Sequence, residues 1–318
     1  MIAYAAWRGL SLLPVWLGIS FFAFLLSNLS PGDPAELILN RQQDEPPTPR
    51  QLEEFREANG LNDPFLVQYA TFVAGLFRGE LGTSFRTGTP VLEELTSRIP
   101  ATLQIAIPAV LLAVLLAVLI GVLSALRRNS LADHGTRFAA LLSDSVPSFV
   151  LAYLLIIVFA VQAGLLPVAG RGGLEHLVLP VMTLTLATTA SMMRLTRSSM
   201  LEVLGEDYMR TARAMGLPWR SVVFQHALRN ALIPVVTVAG LVLSALVTGT
   251  VIVEIVFAWP GVGTFVIDSI FDRDYPVIQG FVVFAGTVYI LINLCVDLLY
   301  VRLDPRVRLT TGRANHGR

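Results

Sequence analysis

The residues of this chain that could do chemistry are few, and their spacing excludes most reactions. All 23 basic residues are arginine. Without a lysine there is no Schiff-base nucleophile and no G-x-x-x-x-G-K-[ST] phosphate loop, so ATP hydrolysis by that route is excluded. Cys295 is the single cysteine, which rules out an internal disulfide and a cysteine-cluster metal site. His134, His176, His226 and His316 lie far apart, form no H-E-x-x-H, and are expected at surfaces or interfaces. No G-x-S-x-G is present. What remains are acids in apolar surroundings. An acid near the centre of a membrane helix costs about 2.5–3.5 kcal/mol on insertion scales, so it should face protein or water rather than lipid. Two roles fit Asp144: a pathway or gating residue, or a local bond to serine or to backbone groups freed by Pro147. Glu254 fits a turn-and-packing role before Trp259-Pro260-Gly261, or contact with a transported solute. Asp297 is placed to pair with Arg302.

These residues must be positioned by elements whose solvent is partly lipid. The chain of 318 residues is 54% hydrophobic and 14% charged, against about 25% charged residues in a soluble domain. A bilayer core about 30 Å thick needs roughly 20 apolar helical residues. Six segments meet or approach that length: 10–29, 101–126, 138–166, 177–193, 231–253 and 277–301. They lack alternation and are too long for strands, so the expected fold class is an all-α integral membrane protein with six transmembrane helices. The first apolar run exceeds the roughly 7–15 residues of a signal-peptide core and is read as a retained span.

Arginine sets the expected orientation. Six spans put both termini on one side, and that side collects 15 of the 23 arginines, while the two short loops opposite hold only Arg171 and Arg273. By the positive-inside rule both termini are cytoplasmic. Residues 30–100 carry six arginines, but a long loop crosses largely regardless of charge, so this segment is placed outside. Within it, Thr48-Pro49-Arg50-Gln51 reads as an N-cap, a first-turn proline and a capping-box glutamine, and Gly60 closes the helix. The segment suits either a docking surface for an external partner or a lid packed on the bundle. Residues 90–98 read as a short interfacial helix entering the second span.

The cytoplasmic loop 194–230 is long for a plain connection. Asp207 is expected to cap a helix running through Met215, with Glu206 and Asp207 both placed to pair with Arg210. Gly216 stands at the C′ position, and Pro218 opens a further helix from Trp219 to Leu228. Thr211, Ala212 and Ala214 are small enough to allow close approach by another surface.

This loop carries a resemblance. The run E-D-Y-M-R-T-A-R-A-M-G-L-P-W-R-S-V-V-F-Q-H-A-L-R-N-A-L-I-P resembles the EAA loop of ABC importer permeases, in the form usual for the dipeptide/oligopeptide/nickel permeases. The matching positions are Arg210-Thr211-Ala212, then Gly216, then His226-Ala227-Leu228-Arg229; Arg210 stands where that family's general pattern has glutamate and Arg229 where it has proline. Other segments resemble the same family in the same order across about residues 1 to 309. They are Ser30-Pro31-Gly32-Asp33-Pro34, Gly79-Glu80-Leu81-Gly82-Thr83-Ser84, Arg98-Ile99-Pro100-Ala101-Thr102-Leu103, Asp144-Ser145-Val146-Pro147-Ser148-Phe149 and the run from Glu254 to Gly263.

The resemblance implies a type I ABC importer permease fold with a cytoplasmic coupling helix. It divides the chain into 1–100, the first transmembrane helix with its external segment, 97–309, a core transmembrane domain of five helices, and 310–318, a polar tail. It implies that Asp207, Arg210, Thr211, Ala212, Arg213, Ala214, Gly216, Leu217 and Arg229 form an ATPase-coupling loop. It also implies a second homologous permease subunit, two ABC ATPase subunits that use the ATP, and an extracytoplasmic substrate-binding protein, in a bacterial cytoplasmic membrane. No cofactor is expected on this chain and no nucleic-acid partner. The implied cargo is short peptides, with nickel or another small solute as the alternative. A stand-alone secondary transporter fits less well, because such proteins often show internal repeats and several intramembrane ionisable groups.

Overall fold

A computed structural model describes residues 2–29, 33–42 and 46–303, and these are helices joined by short connections. In chain order the helices are α1 (Ile2–Leu29), α2 (Pro34–Gln42), α3 (Pro49–Ala58), α4 (Phe65–Phe77), α5 (Val91–Leu126), α6 (Leu131–Ser145), α7 (Ser148–Leu155), α8 (Glu175–Gly205), α9 (Asp207–Ala214), α10 (Trp219–Ser221), α11 (Leu228–Gly249), α12 (Val251–Val256), α13 (Val262–Phe271) and α14 (Tyr275–Leu303). A π-helical stretch, Ile156–Gln162, prolongs α7, and another, Val222–Ala227, carries α10 into α11. Residues 30–32, the side chains of Asp297 and Arg302, and the tail 310–318 lie outside the described part.

Among the described residues, five helices are long and apolar enough to cross a bilayer: Leu12–Leu29, Val91–Leu126, Glu175–Gly205, Trp219–Gly249 and Tyr275–Val296. The third expected span differs. Instead of one rod over 138–166, α6 and α7 meet at 102°, so the count reaches six only if this bent pair is one span. Pro147 supplies no backbone donor and drives Val146 out of the helical region, to φ −95° and ψ 118°. The fourth span is longer than 177–193, because α8 continues through Arg194 and Arg197 to Gly205. The fifth stops at Gly249, and Glu254 falls in the separate short helix α12.

Residues Met1–Pro100 and Pro260–Ile290 form one compact unit. The capping box at Thr48 is present: Thr48 Oγ1 accepts from Gln51 N at 3.4 Å and Gln51 Oε1 accepts from Thr48 N at 2.8 Å. Gly60 follows α3 with φ +65°. α4 is fastened to α1 by aromatic rings, with Phe24 5.4 Å from Phe72 and 5.3 Å from Phe65, and Phe21 edge-on to Tyr69 at 5.4 Å. Such pairs are worth about 0.5–1.5 kcal/mol each beyond their burial. The G-E-L-G-T-S segment is a knot around Asp274. That buried carboxylate accepts from Ser84 Oγ at 2.5 Å, Phe85 N at 3.0 Å and Arg86 N at 3.1 Å. Residues 90–98 are not a separate interfacial helix; they start α5 without a break from Val91.

Residues Ala101–Trp259 and Leu291–Arg318 form the second unit. Its core falls into three clusters, one around Ile105, Leu179, Phe257 and Trp259, one around Met200, Met209 and Val222, and one around Met192 and Val235. Trp259 Nε1 donates to the Ala101 carbonyl at 2.7 Å. α5 and α8 approach closely at Gly121, where an added Cβ would lie 2.7 Å from Thr196 Cβ.

Candidate functional site

The loop singled out in the sequence folds as a hairpin of helices on unit 2. α8 ends where Glu206 turns extended, at φ −66° and ψ 148°, and α9 begins at Asp207. The cap therefore falls on Glu206 and not on Asp207, and the Glu206 side chain makes no capping hydrogen bond. Asp207 is instead the first helical residue, where its charge favours the helix N-terminus. It meets Arg210 at 3.5 Å, with both side chains largely exposed, so the pair contributes little. No Glu206–Arg210 pair is present among the described residues.

The turn after α9 is closed by Gly216. The Leu217 N–H donates to the Ala212 carbonyl at 3.3 Å and the Gly216 N–H to the Arg213 carbonyl at 2.9 Å. This pair of bonds is the Schellman arrangement, and it needs a residue with positive φ after the cap; Gly216 has φ +80°. Pro218 then opens α10, as expected, and the helix leads through the π-helical stretch into α11.

The two faces of α9 have different tasks. Met209 and Ala212, three residues apart, are buried against Val222, Val223 and Ala227. Ala212 is 6% exposed, so its small side chain serves the approach of α9 to its own chain, not the approach of a partner as expected from the sequence. Arg210, Thr211, Ala214, Gly216, Leu217 and Arg229 are exposed. Arg213 is exposed too, and its guanidinium lies 4.0 Å above the Trp219 ring, a cation–π contact. Met215, Leu217, Trp219 and Phe224 expose large apolar surface around the turn. Exposed apolar residues gathered on one feature and rimmed by charge mark an interaction site.

The two acids weighed as pathway residues are placed apart. Asp144 stands one residue before the end of α6, beside the bend, and is paired with Arg194 of α8 rather than with serine or freed backbone. Glu254 is fully buried and accepts hydroxyl bonds from Thr102 and Thr250 at 2.7 Å each, while its own carbonyl takes the Trp259 N–H at 2.7 Å. That carboxylate faces protein on every side of unit 2, the geometry of a packing residue. A third acid escaped the sequence reading. Asp133 has no exposed surface and accepts from Arg197 Nε and Nη2 at 2.7 Å each, Ser124 Oγ at 2.5 Å and Asn129 N at 2.9 Å. The available signal was the S-x-x-D spacing of Ser130 and Asp133, which marks a helix start; it locates α6 but does not point to Arg197.

Two family descriptions match the chain. "Binding-protein-dependent transport system inner membrane component" covers residues 117–309, and its N-terminal companion covers residues 1–106. The chain belongs to this family. The dipeptide transport system permease protein DppB of Alkalihalophilus pseudofirmus is 39% identical over 336 residues, spanning 97% of this chain and 100% of that one. The oligopeptide transport system permease protein AppB of Bacillus subtilis is 40% identical over 318 residues, spanning 96% and 99%. A solved inward-facing structure of the MetNI methionine ABC transporter superposes with a TM-score of 0.54 at 19% identity, over 66% of this chain and 96% of that one. The fold is that of a type I importer permease. As a permease of a binding-protein-dependent ABC importer, the chain is an integral membrane transport component and not an enzyme, and it works with ATPase and substrate-binding partners.

Proposed function

We propose that this permease forms half of the translocation pathway for short peptides in a bacterial cytoplasmic membrane. The observation that carries the reading is about 40% identity, over nearly the full length of both chains, to permeases named for dipeptide and oligopeptide transport. A second, homologous permease supplies the other half as a heterodimer. Two ATPase subunits bind and hydrolyse the ATP, and an extracytoplasmic binding protein delivers the peptide. Both termini face the cytoplasm, and residues 30–100 face outward, where they serve the binding protein or cover the bundle.

The hairpin of α9 and α10 is the coupling element. Its apolar rim of Met215, Leu217, Trp219 and Phe224 and its exposed Arg210 and Arg229 suit a groove with an apolar floor and acidic edges. Ala212 and Gly216 fix the hairpin's shape, Arg213 braces Trp219, and Asp207, Thr211 and Ala214 complete the exposed face.

Uptake of labelled dipeptides, tripeptides and nickel by a deletion strain tests the reading. Loss of peptide uptake with unchanged nickel uptake, restored by the gene, is the expected result. Nickel loss with unchanged peptide uptake would replace peptides with nickel as the cargo.

A further inference from the structure

A cavity of about 190 Å³ opens between α6 and α8, lined by Arg137, Leu141, Arg194 and Arg197. Arg137 and Leu141 are four residues apart on α6, and Arg194 and Arg197 are three apart on α8, so each pair shares a helix face. Two of the arginines are already engaged, Arg194 with Asp144 and Arg197 with Asp133. Arg137 has no counter-ion among the described residues, so the cavity wall carries a surplus positive charge. Arg194 Nη1 is buried and without a hydrogen-bond partner. A buried guanidinium N–H without a partner is costly, so an acceptor brought to it would be favourable. The planar guanidinium fork matches the oxygens of a phosphate.

The residues that flank the cavity narrow the ligand. Arg137 immediately precedes the apolar stretch that begins at Phe138, and Arg194 immediately follows the one that ends at Met193. Arg137 and Arg194 therefore each adjoin a long apolar run, inside helices that continue past them. The wall is also open to an alkyl chain: Leu141, in the cavity, and its neighbours Phe138 and Leu142 are all more than half exposed. We propose that Arg137, Arg194 and Arg197 form a site for a phosphate anion of the kind an acidic phospholipid headgroup carries. Basic pockets between membrane helices on the cytoplasmic side take such headgroups; placing this one in the inner leaflet rests on the proposed orientation.

The test uses the purified importer with all its subunits, delipidated and titrated with phosphatidylglycerol, phosphatidylcholine or inorganic phosphate, and read by native mass spectrometry. Arg137→Gln is the informative variant, because Arg137 is exposed and unpaired and its loss leaves both ion pairs intact. The expected result is selective retention of phosphatidylglycerol, weakened about fivefold in Arg137→Gln, as one basic charge near a membrane surface implies. Arg78→Gln, a charge removed from unit 1, should leave it unchanged. Equal retention of the two lipids with Arg137-dependent binding of inorganic phosphate assigns the site to a free anion. If neither phosphatidylglycerol nor phosphate binding depends on Arg137, there is no such site. Retention is read without transport, so a wrong cargo leaves the outcome unaffected.

Discussion

Gly216 makes its turn through backbone conformation alone, since no atom beyond its two chain neighbours lies within 4 Å of where its Cβ would be. Steric crowding is thus no argument against a side chain there; φ +80° is. A β-branched residue held in that region is strained by about 1–3 kcal/mol, whereas asparagine tolerates it far better. Expression of Gly216→Val with its partners should give normal membrane insertion, reduced ATPase co-purification and lost uptake, and Gly216→Asn should keep most of both. Full association and uptake by Gly216→Val would mean that this hairpin is not the coupling element. Ala212 calls for a different expectation. Because it is buried between α9 and the Val222–Ala227 stretch, Ala212→Leu overpacks the chain's own core, at about 1–3 kcal/mol. The solubilised complex should melt at a lower temperature with Ala212→Leu and at an unchanged temperature with Arg210→Ala. An unchanged melt for Ala212→Leu, accompanied by lost ATPase binding, would place Ala212 against the partner instead.

At the scale of elements, α6 is held to α8 by two ion pairs that differ in burial. The Asp133–Arg197 pair has a carboxylate with no exposed surface, while in the Asp144–Arg194 pair both side chains are about one-third exposed or more. Removing one partner of a buried pair typically costs about 3–5 kcal/mol because the other charge is stranded. Asp133→Ala should therefore lower the melting temperature of the complex far more than Asp144→Ala, with Asp133→Ala/Arg197→Met recovering part of the loss; equal melts for the two single variants would remove the case for a structural tie at Asp133. These pairs also explain what was legible in the sequence. Apolar length located the helices, and the glycine and proline punctuation of 206–219 located the hairpin and its turn, since those signals are local. Hydropathy ended the fourth span at Met193 because it scores Arg194 and Arg197 as solvent-facing, although each meets an acid of α6. It fused α6 and α7 because Val146 and Pro147 cost an apolar window little, while they set the bend. The burial of Ala212 and the stacking of Arg213 on Trp219 depend on which side of α9 meets the following helix, and small-residue content alone does not decide that.

For the whole molecule the decisive quantity is orientation, because it determines whether the hairpin meets an ATPase and whether α2–α4 meet a binding protein. The proposal rests on arginine: with six crossings, 15 of the 23 would fall on the side of both termini and the hairpin, and two in the short loops opposite. Basic residues in short loops resist translocation, whereas long segments cross largely regardless of charge, so the six arginines of residues 30–100 do not oppose the assignment. An even number of spans is also required, and the bent pair α6–α7 must then pass through the bilayer as one span rather than return to the side it entered. Were it a re-entrant loop, five crossings would remain, and the hairpin and the C-terminus would both lie on the face opposite the N-terminus, the same face as Gln68. Three reporters separate these cases: fusions after Gln68, within the hairpin after Arg220, and at the C-terminus. The expected pattern is external for Gln68 and cytoplasmic for the other two. Hairpin and C-terminal readings that both match an external Gln68 would show that α6–α7 does not cross, and a cytoplasmic reading at Gln68 would take the segment holding α2–α4 away from any external partner.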